Sequence, residues 1–183
     1  MANTSATGGY LAPVVAPAPA QDIELEDLLQ GMVKGITGLP GQFVRPRWQE
    51  KIPKQPEPLV NWCAIGVHST KTVAYPAVTH DGGADGHDNY EMHEELKVVA
   101  SFYGPQAQAY AAILRDGIFI PQNGEAIRAQ RMAFIGASDV LPAPELVNQQ
   151  WVRRYDISIQ MRRQVVRVYP VLNILSAEPT IVD

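Results

Sequence analysis

The residues best equipped for chemistry are crowded into one stretch, His68 to Glu95 (HSTKTVAYPAVTHDGGADGHDNYEMHEE). It holds every histidine of the chain (His68, His80, His87 and His93) together with Asp81, Asp85, Asp88, Glu91, Glu94 and Glu95. Imidazole nitrogens and carboxylate oxygens are donors for divalent metals, so the enzyme such a stretch would make is a small metal-dependent hydrolase. The spacing argues against it. There is no HExxH and no pair of histidines three or four apart on a predicted helix. Asp81, Asp85 and Asp88 also miss the 1-3-5 spacing and closing Glu of an EF-hand loop. A glycine-rich, solvated hairpin tip whose acids repel phosphate or bases accounts for the same residues. The candidate contact positions on it are Asp81, Asp85, His87, Asp88 and Glu91. No cofactor and no metal beyond an adventitious divalent ion is expected.

Other routes to catalysis are thinner. Cys63 sits within an apolar strand pattern, where a thiol is an inert core residue. The GGADG segment lacks a strand before it and a helix after it, and neither GxxxxGK[ST] nor GxSxG occurs. A cluster of positive charge, Arg153, Arg154, Arg162, Arg163 and Arg167, falls on predicted strands. It reads either as an electrostatic docking face or as ordinary solvated sheet surface.

Composition narrows the classes further. Hydrophobic residues make up 46% of the 183-residue chain and charged residues 19%, enough for one well-filled domain. A formal net charge of −4 is the wrong sign for a dedicated nucleic-acid binder. It suits a surface past which DNA slides, because phosphates are held weakly where Lys and Arg are sparse. With Cys63 as the single cysteine, no internal disulfide can form, and folding in a reducing cytoplasm is expected. No apolar run reaches the ~20 residues of a membrane span, and no basic segment precedes the N-terminal apolar stretch.

The elements that position these residues follow from periodicity. Residues 1–21 are uncharged and carry Pro13, Pro17 and Pro19, which predicts an extended arm outside the folded domain of residues 22–183. Such an arm needs a surface to lie on, and a neighbouring subunit is the expected one, with its own domain the alternative. Leu25, Leu28, Leu29, Met32, Val33 and Ile36 predict a helix capped by Asp22 and ended by Gly35 or Gly38. Residues 40–58 hold five prolines, with room for a short edge strand over Gln42 to Trp48. Leu59 to Thr70 predicts a central strand, and Glu91 to Tyr103 a second one burying Leu96, Val98, Ala100 and Phe102. A long hairpin over residues 71–92 joins them. After Gly104-Pro105 the period changes to helical, with Ala109, Tyr110, Ile113 and Leu114 inward and Gly117 at the end. Arg128 to Ile135 predicts a strand and residues 136–148 a loop. Trp151, Tyr155, Ile157, Ile159 and Met161 then form one face of a further strand, and Gln164 to Tyr169 completes the sheet. The expected fold is α+β: a mostly antiparallel sheet flanked by two helices, with a long hairpin and an extended N-terminal arm.

This order of elements resembles the neck and tail-terminator proteins of tailed bacteriophages, over about residues 22–177. The segments that carry the resemblance are PEPLVNWCAIGV, LKVVASFYGPQAQAYAAILRD with its Tyr-Gly-Pro, and the Trp-bearing strand NQQWVRRYDISIQMRRQVV. The resemblance implies a structural, non-enzymatic virion protein assembled in the host cytoplasm. It implies a homo-hexameric ring that caps the tail tube and joins it to the head connector, while DNA passes through the lumen without sequence-specific binding. Its partners would be the tail tube protein and the connector or adaptor protein, with no membrane involved. A connector adaptor or a minor tail protein is the alternative within the virion. The arm lies outside the resemblance.

Overall fold

A computed structural model describes residues 3–14, 20–49, 53–147 and 149–174. The chain divides into two compact units, one of residues 19–73 and 94–164, the other of residues 1–18, 74–93 and 165–183.

In the first unit, helix α1 (Asp22–Thr37) buries Leu25, Leu29, Met32 and Val33, the stripe that the three-to-four spacing predicts. Its cap differs from expectation. Gln21 occupies the N-cap position without a side-chain bond, and Asp22 is the first helical residue, with φ 49. Gly38, at φ 73, ends the helix by donating its N–H to the Lys34 carbonyl at 3.0 Å. Helix α2 (Ala107–Gly117) turns Ala107, Ala111 and Leu114 inward. Ala109 and Ile113 face out, so the buried stripe is rotated from the predicted one. A third short helix, α3 (Glu125–Ala129), with Ile127 buried, occupies the start of the expected Arg128–Ile135 strand. Arg131, at φ 54, then turns the chain into a strand that starts only at Met132.

The sheet is mostly antiparallel. Strands β1 (Val44–Pro46), β2 (Trp62–Thr72), β4 (His87–Tyr103), β9 (Arg154–Tyr169) and β5 (Met132–Ala137) lie in the order β1-β2-β4-β9-β5. Only the short β1 runs parallel, pairing Val44 with Cys63. The predicted edge strand is therefore present, and β2 is second in the sheet. Cys63 faces Phe102 and Ile65 faces Ala100 across β2 and β4, and these four join Leu96, Val98, Ile157, Ile159 and Met161 in one core against the helices. Leu96, Val98, Ala100 and Phe102 alternate along β4 and are each at most 1% exposed, and at its end Ser101 and Tyr103 on the other face are buried too. Burying side chains of this size contributes roughly 1.5–3 kcal/mol apiece, which makes this layer the main source of stability.

The segment between β5 and β9 is more structured than a loop. Strand β6 (Leu141–Pro142) pairs with β9, and β7 (Glu145–Val147) forms a hairpin with β8 (Gln150–Val152). That hairpin takes Trp151 out of the predicted inward face. It pairs with Leu146 and is 72% exposed, whereas Ile157, Ile159 and Met161 are buried as expected. Gln164 to Tyr169 is the continuation of β9, not a separate strand.

The second unit is built around β3 (Ala77–Asp81), which pairs antiparallel with the outer part of β4, from Ala77 opposite Glu91 to Asp81 opposite His87. Tyr90 meets Tyr169 edge-on, with ring centroids 6.3 Å apart. The described part of the arm lies on its own chain: Ser5 N–H donates to Pro170 O at 3.2 Å and Val14 N–H to Val168 O at 2.9 Å. Pro17 and Pro19 of the predicted arm lie outside the described residues.

Candidate functional site

The hairpin turn is locked by Asn173, a residue that no sequence motif marks. Asp81 Oδ1 accepts the Gly83 N–H at 2.9 Å, and Gly86 donates to Gly83 O at 3.0 Å, closing the turn of residues 82–86. Asn173 holds this turn from the far end of the sequence. Its backbone N–H donates to Asp85 O at 2.9 Å, and its Nδ2 donates to Gly82 O at 3.1 Å and Ala84 O at 3.2 Å. Gly86, at φ 92, is required here: a Cβ would stand 2.6 Å from the Asn173 side-chain oxygen and 2.7 Å from its nitrogen.

Because the Asn173 amide nitrogen is committed to two carbonyls, its Oδ1 faces His80 as an acceptor, 2.9 Å from Nε2. The other ring nitrogen, Nδ1, is 2.7 Å from the Asp88 carboxylate, the residue directly opposite in the ladder. Both partners are placed to accept, an arrangement that favours the imidazolium form of His80, in which both ring nitrogens donate. The bond to Asp88 first, and that to Asn173 second, raise its pKa above the ordinary histidine value. Two looser contacts lie nearby, His87 Nε2 with Asp81 Oδ2 and His93 Nε2 with Glu91 Oε1, each at 3.7 Å and beyond hydrogen-bond distance. The structure thus brings Asp81, Asp85, His87 and Asp88 together around one turn and leaves Glu91 at the β3 start of the ladder. The tip is a histidine–carboxylate network more than a bare acidic surface. Among the described residues, no group of three or more His, Cys, Asp or Glu side chains is arranged to hold a metal.

The arginines do not form one face. Arg163 is buried at 6% exposure, with Nε 2.7 Å from Glu94 Oε2 and a guanidinium N–H donated to Ala20 O at 3.1 Å. It is an internal ion pair, and any docking face excludes it. Arg154 is half-buried and bidentate on Asp156, both bonds 2.8 Å, with Glu145 Oε2 at 3.3 Å. Arg153 and Arg162 are exposed, and Arg167 belongs to the hairpin unit. Cys63 is fully buried, and desolvation pushes its thiol far above the ordinary range, as suits an inert core residue.

A second assembly went unpredicted. Trp62 and Tyr103, directly opposite on β2 and β4, stack with centroids 4.2 Å apart and planes 6° from parallel. The Arg45 guanidinium lies 5.9 Å from the Trp62 centroid, and that of Arg154 lies 5.6 Å from the Tyr103 centroid, which makes a four-layer stack. Ser101 Oγ accepts from Arg47 at 3.0 Å and is 3.5 Å from Arg154. This lies on the sheet face opposite the core and borders a hollow of about 520 Å³ lined by Arg45, Arg47, Trp48, Gln55, Trp62 and Tyr103. The signal was present as alternation: Trp62 and Ala64 must point away if Cys63 and Ile65 point in.

Among the described residues no helix is long and apolar enough to cross a membrane. The family model for phage neck terminator proteins matches residues 24–183. No curated protein matches the chain at a comparable level.

Proposed function

Since the chain belongs to the phage neck terminator protein family, we propose that it forms a ring that caps the tail tube and joins it to the head connector. The family match carries this reading. It makes the chain a structural phage neck protein, and the finer claims of ring, tube and connector are added here. The ring is a homo-hexamer whose head-to-tail interface closes because the rotation per subunit divides a full turn. Its partners are a tail tube protein on one side and a connector or adaptor protein on the other, in a virion assembled in the host cytoplasm. Genomic DNA passes through the lumen, and a net charge of −4 keeps phosphate contacts few.

In this reading the arm of residues 1–21 and the domain of residues 22–183 act as one subunit. The hairpin residues Asp81, Asp85, His87, Asp88 and Glu91 meet the channel or an adjoining subunit. The exposed Arg153 and Arg162 and the half-buried Arg154 supply separate docking positions rather than one face. No residue is assigned a catalytic role, and no cofactor is needed. Particle images and native mass spectrometry of assembled tails test the proposal. A hexamer at the head-proximal end of the tube is expected. A monomer on assembled tails would reject it, and a twelve-fold ring would make the protein a connector adaptor instead.

A further inference from the structure

We infer that residues 3–14 are an exchange arm: in the assembled ring each copy lays this segment on residues 168–172 of its neighbour, in the seat that its own arm fills in a single chain; this rests on the ring reading above. The chemistry of the seat is visible in the single chain. Val14 N–H donates to Val168 O at 2.9 Å, Ser5 N–H to Pro170 O at 3.2 Å, and Leu172 N–H to Ser5 Oγ at 2.8 Å. The arm of a second copy has the same sequence and makes the same three bonds, so its fit to the seat is already given.

What the single chain leaves uncovered favours the exchange. None of residues 3–14 is buried, and Tyr10 is 99% exposed and Val14 52%. The unit that holds the seat is hardly better covered. Among its described residues only Val165 is buried, while Tyr75 and Ile174 are 99% and 90% exposed. A strand pair with so little apolar burial is marginal by itself and has the most to gain from a second chain. Exchange keeps the three bonds and brings a neighbour's surface against side chains now in water. It also costs little order, because Pro13, Pro17 and Pro19 each fix one backbone angle in the free arm as well as in the bound one. The root of the arm limits which copy receives it. Ala20 O accepts from the buried Arg163 guanidinium at 3.1 Å, and the chain from Ala20 to Val14 reaches at most ~20 Å. Only an adjacent copy falls within that reach. Giving an arm to one neighbour and taking one from the other is a heterologous contact, the kind a closed ring requires.

The test is cross-linking of the full chain carrying Val14→Cys and Val168→Cys with a short bis-maleimide. Native Cys63 is fully buried and desolvation keeps its thiol protonated, so it does not compete. Sedimentation velocity on the same samples reports whether the ring is present. Dilute, dissociated chains should link within themselves and run as monomers in a denaturing gel. Assembled rings should give a covalent ladder, and rings mixed from the two single-cysteine variants should give a dimer holding one of each. Deleting residues 1–14 should raise the concentration at which the oligomer dissociates by roughly tenfold or more, through the three bonds lost at each contact. The thermal melt should not change, since the described arm places no buried side chain in the core. Three results would overturn the inference: rings whose cross-links stay within one chain; rings that link in neither way, which would leave the seat empty on assembly; or a deletion that leaves assembly unchanged. A wild-type chain that stays monomeric even on tails would instead overturn the ring reading, and this inference with it.

Discussion

Strand β4 passes through both units and is stabilised differently in each. Within residues 94–164 and their partners it turns Leu96, Val98, Ala100 and Phe102 into a core with no more than 1% exposure. Within residues 74–93 its positions are exposed or half-buried, and order comes from hydrogen bonds: Asp88 to His80, and Asn173 to three carbonyls of the turn. Burial is collective and insensitive to pH, whereas a small set of polar contacts in water is local and titratable. The first region has the properties of a scaffold, the second those of a contact surface whose order can be adjusted.

The largest expected effect tests the scaffold. Phe102→Ala should cost about 3–5 kcal/mol, because a large cavity would open in a layer packed from both sides. Chemical denaturation would measure it, and a loss under 1 kcal/mol would mean that this strand is not central to the core. Arg163→Ala should follow at roughly 3 kcal/mol, since Glu94, only 16% exposed, would keep its charge without its partner. If that variant melted like the wild type, the ion pair would belong with the weak contacts of the hairpin unit.

Much of this was legible from alternation. Leu96 to Phe102 and Ile157 to Met161 read correctly because a period of two leaves no other face for them. The same rule places Arg163 on the inward side of β9, in phase with Met161, yet its charge draws it into a surface cluster when residue type is weighed above position. Burial of an arginine needs a partner distant in sequence, and neither Glu94 nor the Ala20 carbonyl is visible from the local pattern. Trp151 failed for the opposite reason: the pattern runs on smoothly, but a turn with Gln149 at φ 64 diverts it into the β7–β8 hairpin. The hairpin turn was legible as glycine-rich, and its acids as a cluster. Asn173 was not, because its role comes from three backbone carbonyls that have no signature in residue type.

A middle-sized effect would sharpen the contrast. Asn173→Ala removes two side-chain bonds to the turn and the acceptor for His80, while keeping its backbone N–H to Asp85 O. Amide exchange within residues 82–86 should speed up several-fold, with the core amides and the global melting temperature unchanged, because local opening need not involve the scaffold. Faster exchange on β4 between Leu96 and Phe102 would show that the two regions open together.

The pH response should be confined to the same place. His80 has a raised pKa in the folded chain, so its contribution is fully present below the ordinary histidine value near 6.5 and is lost as pH rises through the folded value. The turn should therefore loosen on the alkaline side, and Asp88→Asn should lower the His80 pKa by removing its first cause. An NMR titration of the His80 ring in both proteins measures this. An unchanged midpoint in the Asp88 variant would remove the imidazolium from the network.

The smallest effect is expected at Asp85, the acid at the exposed centre of the turn. The turn uses the Asp85 main-chain carbonyl, which accepts from Asn173, and replacing the side chain leaves that bond in place. Asp81 differs, since its Oδ1 caps Gly83, and so does Asp88, which holds His80. Asp85→Asn should thus change stability by no more than about 0.5 kcal/mol, within the range of exposed charges. Melting curves with and without a chelator should coincide for wild type and variant alike. If the chelator lowered the wild-type melting temperature and the Asn variant no longer responded, a metal would be bound at the turn. The order of the hairpin unit would then come from coordination, and its contrast with the apolar scaffold would have to be redrawn around an ion.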